Sequence, residues 1–254
     1  MLAALEFPPI SHLVEWPAIL LKGTPLAVNK IVLLEWLAVA LTLAMFIPTA
    51  RNFRLVPAGV QNLVEAGVDF VRNSIILEVM GPEGLIWTPF LVTVFFFLLF
   101  CNLFEVIPFI QMPVTARMAV PMFLSLVVWV IFIFMGFKSQ GFSYLKNTLF
   151  PPGVPGALKP LVALIELVST YLLRPFTLAV RIFANMLAGH LLLVTFAVLS
   201  AALFTLKPLA VVLPLPFAML VLMTGFEVLV AVLQAFIFTI LIAVYIGGAM
   251  HPEH

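Results

Sequence analysis

The sequence predicts an all-α polytopic membrane protein, and three observations carry that prediction. Hydrophobic residues make up 64% of the 254 positions and charged residues only 9%, whereas a soluble domain is about a quarter charged and about half apolar. Mean hydropathy is +1.25. Apolar runs of about 18 residues or more recur along the chain, long enough to cross a bilayer as helices. The short alternating segments of a transmembrane barrel are not seen.

Taken in order, residues 1–28, with Pro8, Pro9, Pro17 and Pro25, read as a short extracytoplasmic arm. The first lysine is Lys22, so the basic segment of a signal peptide is missing and the chain is expected to be mature from near Met1. An upright first span covers 31–48, IVLLEWLAVALTLAMFIP, closed by RNFR, with Glu35 expected at the interface. Residues 57–79 are not a span. Val60, Leu63, Val64, Gly67, Val68 and Val71 recur at helical spacing, while Gln61, Glu65, Asp69 and Arg72 share the other face. That is the pattern of an amphipathic helix lying at the membrane interface.

A transmembrane hairpin is expected over 88–137, with spans at 88–110 and 117–137 turning near Pro108 and Pro113. Its FFFLLF run at 95–100 reads as lipid-facing bulk. KSQGFSYLKNTLFPPGVPGALKP, dense in glycine and proline, is the most loop-like segment. Residues 161–206 then form one apolar stretch, roughly 65 Å as a helix and about twice the hydrocarbon thickness. The run at 209–247, with Pro214 and Pro216 near its start, is similarly overlong. Residues 160–248 are therefore expected to form a long helical hairpin, steeply tilted or bent and held by a partner. The whole chain, 1–254, reads as a single membrane domain.

Arg51, Arg54, Lys138, Lys146 and Lys159 fall on one side of these spans, and Lys22, Arg117 and Lys207 on the other. The positive-inside rule makes the first side cytoplasmic, which puts the N-terminus outside and the C-terminal MHPEH inside.

Charge inside the long hairpin is the main functional signal. Glu166, Arg174, Arg181, His190 and Glu227 are the ionisable residues at membrane depth, with Asn185 and Gln234 adding neutral polarity. Arg174 and Arg181 are seven apart and share a helix face, which Asn185 continues four residues on. His190 falls nearly opposite Arg181, about 13 Å along the axis. Glu227 and Gln234, seven apart, share a face of the last helix. Arg181 keeps its charge at any working pH, so it can attract anions but cannot carry protons. His190 and Glu227 can both titrate, as relay groups must. Each also has a plainer reading: Arg174 could snorkel to an interface, and His190, Asn185 and Gln234 could serve as interhelical glue.

RPFTLAVRIFANMLAGH at 174–190, followed by GFEVLVAVLQAFIFTILIAVY at 225–245, closely resembles the signature of subunit a of F-type ATP synthases. TPFLVTVFFFLLFCNLFEVIP and VPAGVQNLVEAGVDFVRN resemble the same family's segment around an Asn-Leu-x-acid motif and its boundary helix. The likeness spans most of 50–254. It implies the stator subunit of a membrane sector whose two proton half-channels load and unload carboxylates on a ring of c subunits, coupling proton flow to rotation and ATP synthesis. Arg181 would face the passing ring carboxylate, with Asn185 beside it and Gln234 on the last helix near the arginine. His190 and Glu227 stand where relatives carry an interacting ionisable pair. Asn102 and Glu105 match polar residues lining an access path, to which Glu166 and Arg174 are assigned as well.

Two departures from the pattern stand out. Glu166 is fifteen residues before Arg181, where relatives often carry an acid fourteen before; a helical bulge between them would restore the phase. In PVTARMAVP, Arg117, Ala119 and Pro121 appear where relatives often carry Asp, Asn or Thr, which leaves the lining of the outer path open.

The implied partners are the c-subunit ring, b-type peripheral stalk subunits, the remaining synthase subunits and the lipid bilayer. The expected location is a bacterial plasma membrane. No cofactor, metal or nucleic acid is expected, and no catalytic chemistry of the chain's own. The one cysteine, Cys101, excludes an internal disulfide, and no phosphate loop, metal cluster or nucleophile constellation is present in the sequence. Proton is favoured over sodium as the ion, although the residues of this chain leave both open. A self-contained secondary transporter is the main rival, but it would show the internal repeats and glycine-broken helices that are missing here. A mere scaffold would have no use for an arginine at depth.

Overall fold

The computed structural model describes residues 17–20, 22–23, 27–51, 56–108, 110–150, 155, 158–205 and 211–250. Most of the N-terminal arm, including Pro8, Pro9 and Pro25, lies outside the described residues, as do Arg54, Lys207 and the final four residues. What is described is mostly helical, with one isolated bridge between Leu20 and Val28. Among the described residues, five helices are long and apolar enough to cross a membrane. The protein is an all-α, multi-pass membrane protein.

Helix α1 is Lys30–Arg51. Its start is fixed by the Asn29 side chain, whose Oδ1 accepts the backbone N–H groups of Ile31 and Val32, each at 3.1 Å, satisfying donors a helix end otherwise leaves orphaned. Helix α2, Val60–Val71, continues through a π-helical turn, Arg72–Leu77. Gln61, assigned to its polar face, is instead buried, and its Nε2 donates to Glu65 Oε1 at 2.7 Å. That local hydrogen bond makes its burial tolerable.

A 3₁₀ segment, Pro82–Trp87, leads into α3, Thr88–Leu103. The predicted span ran to 110, but the helix stops at Leu103. Pro108 has no N–H for the Phe104 carbonyl and steers its predecessor away from helix. Short bonds from Glu105 N to Asn102 O and from Val106 N to Leu103 O close the end. The FFFLLF run is not the lipid-facing bulk the sequence suggested: Phe95, Phe96 and Leu98 are buried. Every residue there is apolar, so periodicity could not tell a core face from a lipid face.

Helix α4, Ala119–Gln140, ends at Gly141, whose φ of +61° is a left-handed conformation open to glycine and rarely to other residues. The Gly141 N–H closes the helix on the Phe137 carbonyl at 2.7 Å. The chain then turns into a short helix, α5, Ser143–Leu149, inside the segment expected to be loop. Tyr144 anchors it: the phenol ring is buried directly on Gly136 of α4, where any Cβ would overlap it.

Helix α6, Lys159–Leu167, passes through a second π-helical turn, Val168–Leu173, into α7, Arg174–Thr205. Pro175 explains why the ladder is irregular there, since it offers no N–H to the Tyr171 carbonyl. Helix α8 is Pro214–Met250, 37 residues and so roughly 55 Å long.

The contacts divide into two compact units, the first drawn from Met1–Ala44, Phe96–Arg117 and Phe183–Ala235, the second from Met45–Phe95, Met118–Ile182 and Phe236–His254. Leu34, Ala38, Leu98, Phe104, Met186 and Ala231 are core residues of the first; Val71, Ile75, Leu91, Phe132, Ile182, Phe238 and Ile242 are core residues of the second.

Candidate functional site

The first unit gathers polar groups from three stretches of chain. Ending α3 at Leu103 leaves Asn102 on its last turn and Glu105 in the following bend, both essentially inaccessible. The Asn102 side chain is held from two directions. Its Oδ1 accepts the Thr115 hydroxyl at 2.7 Å, and its Nδ2 reaches the Ala231 carbonyl of α8 at 3.5 Å. Glu105 faces α7, where His190 Nδ1 lies 3.6 Å from its Oε1. That is ion-pair range once the imidazole is protonated and slightly too long for a direct hydrogen bond.

Glu227 of α8 is 4% exposed, and its carboxyl group lies on the backbone of Gly189, the residue before His190. Only the missing Cβ of glycine permits that approach. Asn185 and Gln234 are joined by a 3.0 Å hydrogen bond from Nδ2 to Oε1.

A cavity of about 240 Å³ opens beside this cluster, lined by Glu105, Gln111, His190 and Thr224 among apolar side chains. At about 30 Å³ per water it holds several molecules. Glu105 Oε1, Glu227 Oε2 and Gln234 Nε2 are buried with no hydrogen-bond partner among the described residues. Buried polar atoms are seldom left so; the two carboxylate oxygens can take up a proton, whereas the Gln234 amide nitrogen can only donate a hydrogen bond. Glu105 and His190 on the cavity wall, with Glu227 against the neighbouring Gly189, are groups that can bind, release and pass protons over short distances.

The second unit has its own cavity, about 480 Å³, lined by Glu166, Arg174, Tyr144, Thr148, Phe132 and Tyr245. The Arg174 guanidinium lies over the Tyr245 ring, 5.7 Å from its centroid, a cation–π contact that holds the charge inward. Thr170, fully buried, donates to Glu166 Oε2 at 3.4 Å. Arg174 therefore shares a cavity with Glu166.

Arg181 differs from both groups. It is roughly midway between Lys159 and Thr205, its side chain is exposed, and no acid among the described residues pairs with it. Its neighbours Leu178, Ala179 and Ile182, about 60–160° around the helix, are buried. A permanent cation is thus presented outward from the middle of an apolar helix.

The structure brings Glu105 to His190, Glu227 to Gly189, Asn185 to Gln234, and Glu166 into one cavity with Arg174. Sequence reasoning passed over several contributors, among them Thr170 in the π-turn. Thr115 sits in the divergent PVTARMAVP segment and was passed over with it. Tyr144 lay in the presumed loop, and Tyr245 is one aromatic among many. Gly189 had a usable signal, a glycine immediately before an intramembrane histidine. Among the described residues, no three His, Cys, Asp or Glu side chains could hold a metal ion.

Comparison with known proteins gives one consistent family. Residues 32–247 match the family model described as ATP synthase A chain. The chain is 42% identical over 243 residues to ATP synthase subunit a of Frankia alni, covering 94% of this chain and 84% of the relative. It is 38% identical to ATP synthase subunit a of Rhodococcus erythropolis, over 93% and 88% of the two chains, and 38% identical to that of Brucella ovis, over 94% and 95%.

Proposed function

This chain belongs to the ATP synthase A chain family, and from that membership we propose that it is the stationary subunit that loads and unloads protons on a rotating ring of c subunits. It is a multi-pass membrane component of the F-type synthase, working with the other synthase subunits. The ring and b-type peripheral stalk subunits are its proposed direct neighbours. The proposed setting is a bacterial plasma membrane, N-terminus outside and C-terminus in the cytoplasm, a reading supported by the lysine and arginine placement.

One observation carries this reading: Arg181, exposed at mid-helix with no acid paired to it among the described residues. An ionised ring carboxylate in hydrocarbon is costly, and a guanidinium that cannot deprotonate compensates it at one point of each revolution. Everywhere else the acid must travel protonated. The two cavities are the proposed half-channels. In the first, Glu105, His190 and Glu227 relay protons, with Asn102, Asn185 and Gln234 holding polar geometry. In the second, Glu166 and Arg174 line the path to the other side.

In chain order Arg181 falls between Arg174, which lines one cavity, and His190, which lines the other. A fixed positive charge there keeps protons from passing without a turn of the ring. The transmembrane potential supplies about 2.3 kcal/mol per charge per 100 mV. The overlong helices suit a surface that wraps a curved ring.

Replacing Arg181 with alanine in the complete synthase tests the proposal. Proton-driven ATP synthesis in reconstituted vesicles should vanish while the complex still assembles. Normal synthesis with alanine at 181 would sink it. Reconstituting the chain alone separates it from a self-contained transporter, because without its ring it should move no solute.

A further inference from the structure

We infer that the π-helical turn Val168–Leu173 is a register device that lets one extra residue into the helix and so brings Glu166 into a single charged row with Arg174 and Arg181. The inference rests on the proton-path reading above and gives Glu166 its place in it.

The geometry follows from residue counting. An uninterrupted α-helix turns about 100° per residue, so Glu166, eight residues before Arg174, would stand about 80° from it and about 60° from Arg181. A turn with i→i+5 bonds absorbs one additional residue. The separations then count as seven and fourteen, and Glu166 comes within about 20° of Arg174 and about 40° of Arg181. The three charged groups form a row at two-turn spacing, about 10 Å from one to the next. The surroundings agree with this arrangement. Glu166 and Arg174 line the same cavity. Thr170, inside the π-turn and fully buried, donates its hydroxyl to Glu166 Oε2. Pro175 sits just beyond the turn and leaves the ladder without the N–H that would enforce regular α geometry.

The consequence is functional. A proton released near Arg181 finds an acceptor on the same helix face, inside a cavity with room for water. An acid displaced by one residue would point away from that cavity.

The test uses the assembled synthase in inverted membrane vesicles, reading ATP-driven proton pumping by quenching of a pH-sensitive dye. Deleting Ser169 turns the π-turn into α-helix and leaves Glu166 fourteen regular residues before Arg181. That variant should keep most of its pumping, and Glu166→Gln should cost the same several-fold factor in the deleted and the full-length chain. Exchanging neighbours, Glu166→Leu with Leu167→Glu, keeps length and composition but takes the acid off the row; it should lose as much as Glu166→Gln.

Full pumping by the exchanged chain overturns the inference. So does loss of pumping on deletion of Ser169 in a complex with normal subunit content. If the shortened chain fails to insert, the exchange decides, since it alters neither length nor hydropathy. Arg181→Ala, measured in parallel, separates the two levels. Pumping retained there refutes the wider functional reading. Pumping lost there, with the exchanged chain fully active, refutes the register device alone.

Discussion

Replacing Gly189 with alanine adds one methyl group at the place where Glu227 meets α7. An alanine Cβ there would stand 2.5 Å from the Glu227 carboxyl carbon, and ordinary contact begins at 3.4 Å, so the carboxylate must retreat by about 1 Å. Overpacking of this kind costs about 1–3 kcal/mol, too little to abolish folding of a membrane helix bundle. The kinetic penalty is larger. Proton transfer needs heavy atoms within hydrogen-bond reach, and a misplacement of about 1 Å can cost about a hundredfold in rate, or about 2.7 kcal/mol of barrier.

Gly189→Ala should therefore assemble normally, while ATP-driven pumping and passive conduction both fall by about one to two orders of magnitude. A compensating change sharpens the test. Glu227→Asp shortens the side chain by about one bond, ~1.5 Å, and makes room for the methyl group, so the double variant should conduct better than Gly189→Ala alone. The comparison is made in vesicles matched for synthase content by immunoblot. Parent-level flux with alanine at 189, or a double variant no better than the single one, would refute the argument that Glu227 works against the backbone of α7.

The other expectations concern the same unit. Glu227→Gln keeps the shape of the side chain and removes its ability to titrate, so proton flux through the vesicles should drop while synthase content stays level; unchanged flux takes Glu227 off the path. Thr115→Val removes the hydroxyl that satisfies Asn102 Oδ1 and leaves a buried acceptor unpaired, costing about 1–3 kcal/mol. Detergent-solubilised complex should dissociate or aggregate at lower temperature, and Thr115→Ser should restore the parent midpoint. Equal midpoints for valine and threonine would show that Asn102 finds another donor.

Local sequence made the membrane class legible. A run of apolar residues longer than a bilayer is wide states its own environment, and every ionisable residue inside it is conspicuous because its cost has to be met. Arg181, His190 and Glu227 could be chosen that way. The rows along single helices were legible for the same reason, since 3.6 residues per turn is a property of the backbone.

What tertiary structure alone decided is which of those residues meet. Asn102 hydrogen-bonds a carbonyl 129 residues away, and His190 draws alongside Glu105 instead of standing alone with Glu227. Glu227 comes to rest on Gly189 because two helices approach there. A short helix forms where glycine and proline promised a loop, because Tyr144 finds the bare backbone of Gly136. No periodicity encodes a partner across the fold. Long-range contacts are selected by packing and by the need of buried polar atoms to be satisfied, and both are settled only when the distant segments are in place.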